Sequence, residues 1–151
     1  MKTKTISLGS DHAGYALKES IKKFLTDAKY KVIDEGTFSN QSVDYPDFIF
    51  PAAENVARRK ADLGIVFGGS GNGEAMAANK VKGIRCALCW DTISAKLAKE
   101  HNNANMISLG ARMIGEKEAG EIVKIWMESV FEEGRHIPRL KKISNYESMK
   151  K

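Results

Sequence analysis

No apolar run in this sequence approaches the ~18 residues that a membrane span requires, and the opening stretch MKTKTISLGS lacks the apolar core of a secretion signal. A soluble, cytoplasmic protein without a membrane partner is therefore expected. Prolines number only three, and no linker, internal repeat or low-complexity stretch interrupts the chain, so residues 1–151 are expected to form a single domain. At that length a chain buries roughly 68–70% of its unfolded surface and needs no disulfide or metal staple. Cysteine is nearly absent too. Cys86 and Cys89 form a C-x-x-C inside IRCALCW, but no second Cys or His pair exists to complete a metal site there. The local pattern is a strand, on which residues three apart face opposite ways, so two buried, inert thiols are expected.

Excess charge is missing from most of the chain. Residues 135–151, RHIPRLKKISNYESMKK, hold six Lys or Arg and one Glu, which accounts for the whole formal charge of +5. A basic tail can attract phosphates, RNA or an acidic neighbour. With Tyr146 as its only aromatic it offers no stacking platform for bases, and nucleic acid is not an expected partner.

What the chain does have is alternation. The runs at 5–10, 31–36, 63–69, 84–89 and 105–110 read as five strands. Between them, Leu17, Ile21, Phe24, Leu25 and Ala28 mark one helical face, and Ile49, Ala52, Ala53, Val56 and Ala57 another. A third face runs through Ala119, Ile122, Val123, Trp126, Met127, Val130 and Phe131, and shorter helices fit at 73–80 and 92–101. Asp47, Asp91 and Gly134 read as helix boundaries, and a short basic helix with Pro138 in its first turn follows Gly134. Strand and helix alternating in this way predict an α/β fold: a doubly wound, Rossmann-like three-layer sandwich with a five-stranded parallel sheet and a C-terminal helical tail. Ligands in such folds sit at the carboxyl ends of the strands.

The chemistry-bearing residues fall where that fold places its site. Asp11 and His12 follow strand one, GGSGNGEA (68–75) follows strand three, and Arg112 follows strand five. Gly68 and Gly73 give the G-x-x-x-x-G frame of a phosphate loop, but Glu74 and Ala75 stand where Lys and Ser or Thr belong, which argues against ATP. A third glycine at dinucleotide-binding spacing is also missing. A carboxylate beside converging N–H groups suits proton abstraction from carbon, with the amides holding the oxyanion. Asp11 is otherwise a helix cap and Glu74 an ordinary first-turn acid. His101 ends the fourth helix on the opposite rim of the sheet, so a catalytic His101 requires a second subunit to present it. Arg135 and Arg139, four apart on the predicted tail helix, share a face that can grip one phosphate or simply be solvated. Trp90 either lines the pocket or caps strand four.

In order, S-D-H-A-G (10–14), D-Y-P (44–46), G-S-G-N-G-E with A-A-N-K (69–80), E-H-N-N-A-N (100–105), G-A-R (110–112) and E-G-R-H-x-x-R (133–139) form one pattern. It resembles the type B ribose-5-phosphate isomerases, a family that also holds galactose-6-phosphate and allose-6-phosphate isomerases, over about residues 4–143. The resemblance implies a cofactor-free aldose–ketose isomerisation through an enediolate, on a phosphorylated pentose or hexose, and a positioned base with oxyanion donors needs no metal for it. It implies homodimers with shared active sites, extending in some cases to tetramers. By resemblance, Asp11 and His101 assist ring opening and Glu74 moves the proton between C1 and C2. Backbone N–H groups of Gly69, Ser70, Gly71, Asn72 and Gly73 hold the enediolate oxygen, and Ser70 and Asn102 contact substrate hydroxyls. His12, Arg135 and Arg139 form the phosphate grip, with Arg112 in support. Many members carry a cysteine base at the position of Gly68, whereas a second branch uses a glutamate at that of Glu74. A non-catalytic sugar-phosphate or nucleotide sensor, and an RNA-binding module driven by the tail, are the readings from other classes.

Overall fold

A computed structural model describes residues 2–149 of the chain. Five strands, β1 (Thr5–Ser10), β2 (Lys31–Asp34), β3 (Leu63–Gly68), β4 (Cys86–Leu88) and β5 (Met106–Gly110), form one sheet in the order β2-β1-β3-β5-β4. Every pair is parallel, with Leu8 opposite Ile65 and Phe67 opposite Leu109. The helices are α1 (Tyr15–Asp27), α2 (Pro46–Ala57), α3 (Asn72–Ala78), α4 (Thr92–Asn102), α5 (Glu116–Glu128) and α6 (Ile137–Met149). Among the described residues, no helix is long and apolar enough to cross a membrane.

Alternation along the strands sorts two cores. Ile6, Leu8, Ile65, Phe67, Ile107 and Leu109 pack with α1, α4 and α5, while Val66 and Met106 face α2 and α3. The second face is cut small so that its helices can approach. Ser7 donates its hydroxyl hydrogen bond to the Ala52 carbonyl at 2.9 Å, and a Cβ at Gly9 would lie 2.6 Å from the Phe48 carbonyl oxygen. Cys86 belongs to one core and Cys89 to the other, as the strand reading expects. Burial raises both thiols, with Cys89 pushed up to about 12, so neither forms a thiolate at neutral pH.

The structure corrects several boundaries. The second strand stops at Asp34, because that carboxylate is drawn to Lys18 Nζ and to the Gly36 N–H. The fourth begins only at Cys86, since Arg85 spends its N–H on the Asn105 side chain. Phe24 and Ala28 stay outside the core. Lys18 is instead completely buried between Asp34 at 2.7 Å and Glu19 at 2.8 Å. Asp47 lies in the first turn of α2 without capping it, whereas Asp91 caps α4 in a reciprocal pair with Ser94. Most important for the site, α5 ends at Glu128. Val130 and Phe131 lie beyond it, Val130 is exposed, and Gly134 opens a 3-10 turn over Gly134–His136 that leads into α6. Arg135 therefore sits in that turn and not on the tail helix with Arg139. Of the six basic residues of the tail, Lys150 and Lys151 lie outside the described residues.

Candidate active site

Leaving β1 the chain crosses to β2, and leaving β2 it returns to the other side of β1 as β3. The carboxyl ends of β1 and β3 therefore flank a switch point, where an open α/β sheet leaves a crevice. Asp11 follows β1 there. Its Oδ1 accepts a hydrogen bond from the Gly14 N–H at 3.0 Å, closing the turn before α1, but the helix's cap position is Gly14, so Asp11 is not its cap, and the residue is 9% exposed. Next to it, His12 Nδ1 accepts from the Val43 N–H at 3.2 Å. That bond leaves the neutral ring's proton on Nε2 and ties the connection before α2 to the rim of the crevice.

The glycine loop follows β3. Gly71 takes φ 86°, a left-handed conformation that suits glycine, and its carbonyl accepts from the Ser108 hydroxyl at 2.7 Å. The loop after β5 is stitched alongside, Ala111 N–H donating to Gly68 at 2.7 Å and Arg112 N–H to Gly69 at 3.0 Å. Arg112's guanidinium folds over Gly69, where an added Cβ would lie 3.1 Å from Nη1. Tyr45 covers Gly73 so closely that a Cβ there would meet its ring at 2.5 Å. Ser70 Oγ accepts from the Asn72 N–H at 3.2 Å, and among the described residues no protein acceptor takes the N–H of Ser70 or Gly73. Ser70, Asn72, Trp90 and Met113 line a pocket of about 230 Å³ at the loop, so Trp90 faces a pocket. A larger groove of about 900 Å³ between α1 and α5 contains no candidate residue.

Glu74 is the buried member, 4% exposed on the first turn of α3. Its carboxyl group occupies the space a side chain at Gly68 would need, since an added Cβ would fall inside it. Burial raises its pKa above the usual carboxylate range. Its own N–H and that of Gly71 work against this, and the negative charge of Asp11 adds to it.

The remaining residues gather elsewhere. His101 and Asn102 end α4 just before β5, at the amino edge of the sheet, and the six residues of β3 alone put about 20 Å between that edge and Glu74. His101 stacks on His136 with ring centroids 4.4 Å apart, and its Nε2 lies 3.6 Å from Glu132 Oε1. Arg85 grips the Asn102 and Asn103 carbonyls at 3.0 and 2.8 Å, fixing this terminus. Asn102, Arg135 and Arg139 are exposed. Among the described residues no carboxylate pairs with Arg112, Arg135 or Arg139. One chain thus brings together Asp11, His12, Gly69–Gly73, Glu74 and Arg112, and separately His101, Asn102, Arg135 and Arg139. Sequence reasoning does not single out Tyr45, Ser108, Glu132 or His136 as site residues. Tyr45 and His136 stand inside the D-Y-P and E-G-R-H runs, while Glu132's spacing of four from His136 is the remaining signal.

A crevice at the switch point of a doubly wound sheet, with free N–H donors and a buried carboxylate, is an arrangement that can hold a small ligand and move a proton. The sequence model of the Ribose/Galactose Isomerase family matches residues 6–143, and the chain belongs to that family of sugar-phosphate isomerases. It is 45% identical over 144 residues to ribose-5-phosphate isomerase B of Mycolicibacterium paratuberculosis, covering 94% of this chain and 91% of that one. The solved ribose-5-phosphate isomerase B of Clostridium thermocellum superposes with a TM-score of 0.94 at 47% identity, covering 95% of this chain and 97% of that one. That of Mycoplasma genitalium, solved with bound ribulose-5-phosphate, gives 0.93 at 40% identity and covers 97% of each chain.

Proposed function

We propose that this chain interconverts ribose 5-phosphate and ribulose 5-phosphate through an enediolate, with Glu74 as the base. The observation that carries the reading is the Glu74 carboxyl: buried, raised in pKa and seated beside the glycine loop. A base whose pKa approaches the working pH transfers protons in both directions. Glu74 takes the proton from C2 of the open aldose as electron density moves onto O1, and the N–H groups of Ser70 and Gly73 are free to receive that oxyanion. The proton then returns to C1 while the O2 proton passes to O1, so atoms and charge balance with no redox partner. A positioned base supplies ~10²–10⁴-fold and each preorganised donor ~10²–10³-fold.

Gly68 supports the same assignment. A side chain there and the Glu74 carboxyl exclude one another, so the cysteine base of one family branch and the glutamate of the other are alternative occupants of one space. Asp11 and a His101 from a second copy complete ring opening, and His12, Arg112, Arg135 and Arg139 hold the phosphate. The edge-to-edge separation supports a homodimer as the catalytic unit. The family spans ribose and galactose isomerases, so hexose 6-phosphates are the competing substrates.

The experiment is turnover on ribose 5-phosphate beside allose 6-phosphate and galactose 6-phosphate. Glu74→Gln is expected to lose ~10²–10⁴-fold, while Cys86→Ala and Cys89→Ala keep the wild-type rate. A wild-type rate for Glu74→Gln sinks the mechanism, and turnover on a hexose alone replaces the substrate.

A further inference from the structure

Three side chains meet at the amino edge in an arrangement that the isomerisation does not require. Glu132 Oε1 lies 3.6 Å from His101 Nε2 and 3.5 Å from His136 Nε2. One ligand atom from each of the three residues falls within 4.8 Å of the other two. His136 is 5% exposed, and its Nε2 has no hydrogen-bond partner. A buried polar atom left without a partner is destabilising, and a ligand on that nitrogen would remove the penalty.

Two imidazoles and one carboxylate are the protein ligands of zinc sites that keep an open fourth position. Bonds of ~2.0–2.1 Å in tetrahedral geometry place ligand atoms about 3.3 Å apart. The observed 3.5 and 3.6 Å are close to that spacing, so the carboxylate oxygen already stands near a tetrahedral edge from both nitrogens. Closing the third edge asks His101, one-third exposed, to turn out of its stack on the buried His136. The supporting backbone is tied down: Glu132 N–H donates to the Glu100 carbonyl at 2.9 Å, and His136 N–H to that of Glu133 at 3.0 Å.

We propose that His101, Glu132 and His136 form a binding site for a first-row transition-metal dication, zinc foremost, with the fourth position open to water. Imidazole and carboxylate donors favour such ions over magnesium or calcium, which take oxygen ligands. An ion held there immobilises the His101 imidazole and places a positive charge on it, so it inhibits isomerisation. That inhibition rests on the role proposed for His101, whereas binding does not.

Metal-free full-length protein is titrated with Co²⁺, whose four-coordinate complexes absorb strongly in the visible, and Zn²⁺ is then added as competitor. Expected are one ion per chain, a four-coordinate spectrum and its loss to Zn²⁺. Glu132→Gln, at an exposed position, should lose more than the ~10–100-fold in affinity that removal of an outer-shell partner costs, and Glu133→Gln should match wild type. Equal Co²⁺ spectra and affinities for wild type and Glu132→Gln overturn the site, as does no binding up to about 100 µM metal. Turnover measured on the same samples separates the two proposals. Specific binding that leaves wild-type turnover untouched retains the site and removes His101 from the chemistry.

Discussion

At the carboxyl edge of the sheet the two carboxylates are buried and held, Asp11 by the Gly14 N–H and Glu74 by the glycine loop, while His12 is half-buried against the Val43 N–H and Arg112 alone is exposed. At the amino edge Asn102, Arg135 and Arg139 stand in solvent, and His101 leans on His136 instead of on any group of the crevice. One edge buries its acids inside the chain and the other leaves its polar groups in water. Chemistry that needs a low-dielectric base must be built inside one chain, because burial is what shifts the base. Contacts to a charged, mobile substrate can be supplied across an interface, since exposed arginines lose little by waiting in water.

The largest effect that tests this division is complementation. Glu74→Gln and His101→Ala are each expected to be inactive, yet chains of the two kinds mixed and reassociated should recover about a quarter of the wild-type rate if pairing is random, since each mixed dimer keeps one intact site. No recovery, with exchange of subunits verified, would mean that both edges serve the same chain's chemistry, and an active His101→Ala on its own would mean that His101 is dispensable. Next in size is the foundation of the carboxyl edge. Burial acts to raise Asp34, but hydrogen bonds from Lys18, the Gly36 N–H and Lys22 outweigh it and leave the carboxyl below its usual range. Gly36 and Thr37 in turn exchange backbone bonds with Ser10, at 2.6 and 2.8 Å, immediately before Asp11. Asp34→Ala leaves the buried Lys18 unpaired toward β2 and should cost about 3–5 kcal/mol in urea unfolding.

Smaller effects separate the edges further. Arg135→Ala and Arg139→Ala should each weaken KM by roughly 10–150-fold, the loss of a charge-assisted contact worth ~1.5–3 kcal/mol, and leave the melting temperature unchanged. A lower melting temperature would make them part of the fold. Glu74→Gln gives the smallest and most diagnostic shift, and it is a gain. The folded carboxyl holds its proton more tightly than the unfolded one, whose value is near 4.5, so its contribution to stability is complete below that pH and is lost as pH rises through the folded value. At pH 7–8 the variant should therefore melt higher than wild type, by about 2–4 °C for each kcal/mol relieved, and the advantage should shrink toward pH 4.5. A constant difference across that range would mean that burial does not perturb Glu74.

Much of this was open to reading along the chain, because strands and helices write their faces at fixed spacing. The residues of α2 at 49, 52, 53 and 56 are buried as the spacing predicts, and Asp91 caps α4. The same logic overran the end of α5, where Val130 and Phe131 continue the apolar rhythm after the helix has stopped at Glu128. It also passed over Lys18, since a buried lysine is tolerable only beside partners such as Asp34, sixteen residues away, that no local window contains. His101 showed only its place on the rim, and neither its stack on His136 nor the approach of Glu132 is written in local spacing.

The sequence alone therefore determined the alternation of strand and helix, the glycine loop with its misplaced acid, and the ordered motifs of the family, all features of neighbours within a turn or a strand. Tertiary structure decided the strand order that opens the crevice between β1 and β3, the burial that raises Glu74 against the bare Gly68, and the separation of the candidate residues onto two edges. The physical reason is range: periodicity and backbone preference act over a few residues, whereas dielectric environment and the meeting of distant side chains belong to the packed whole.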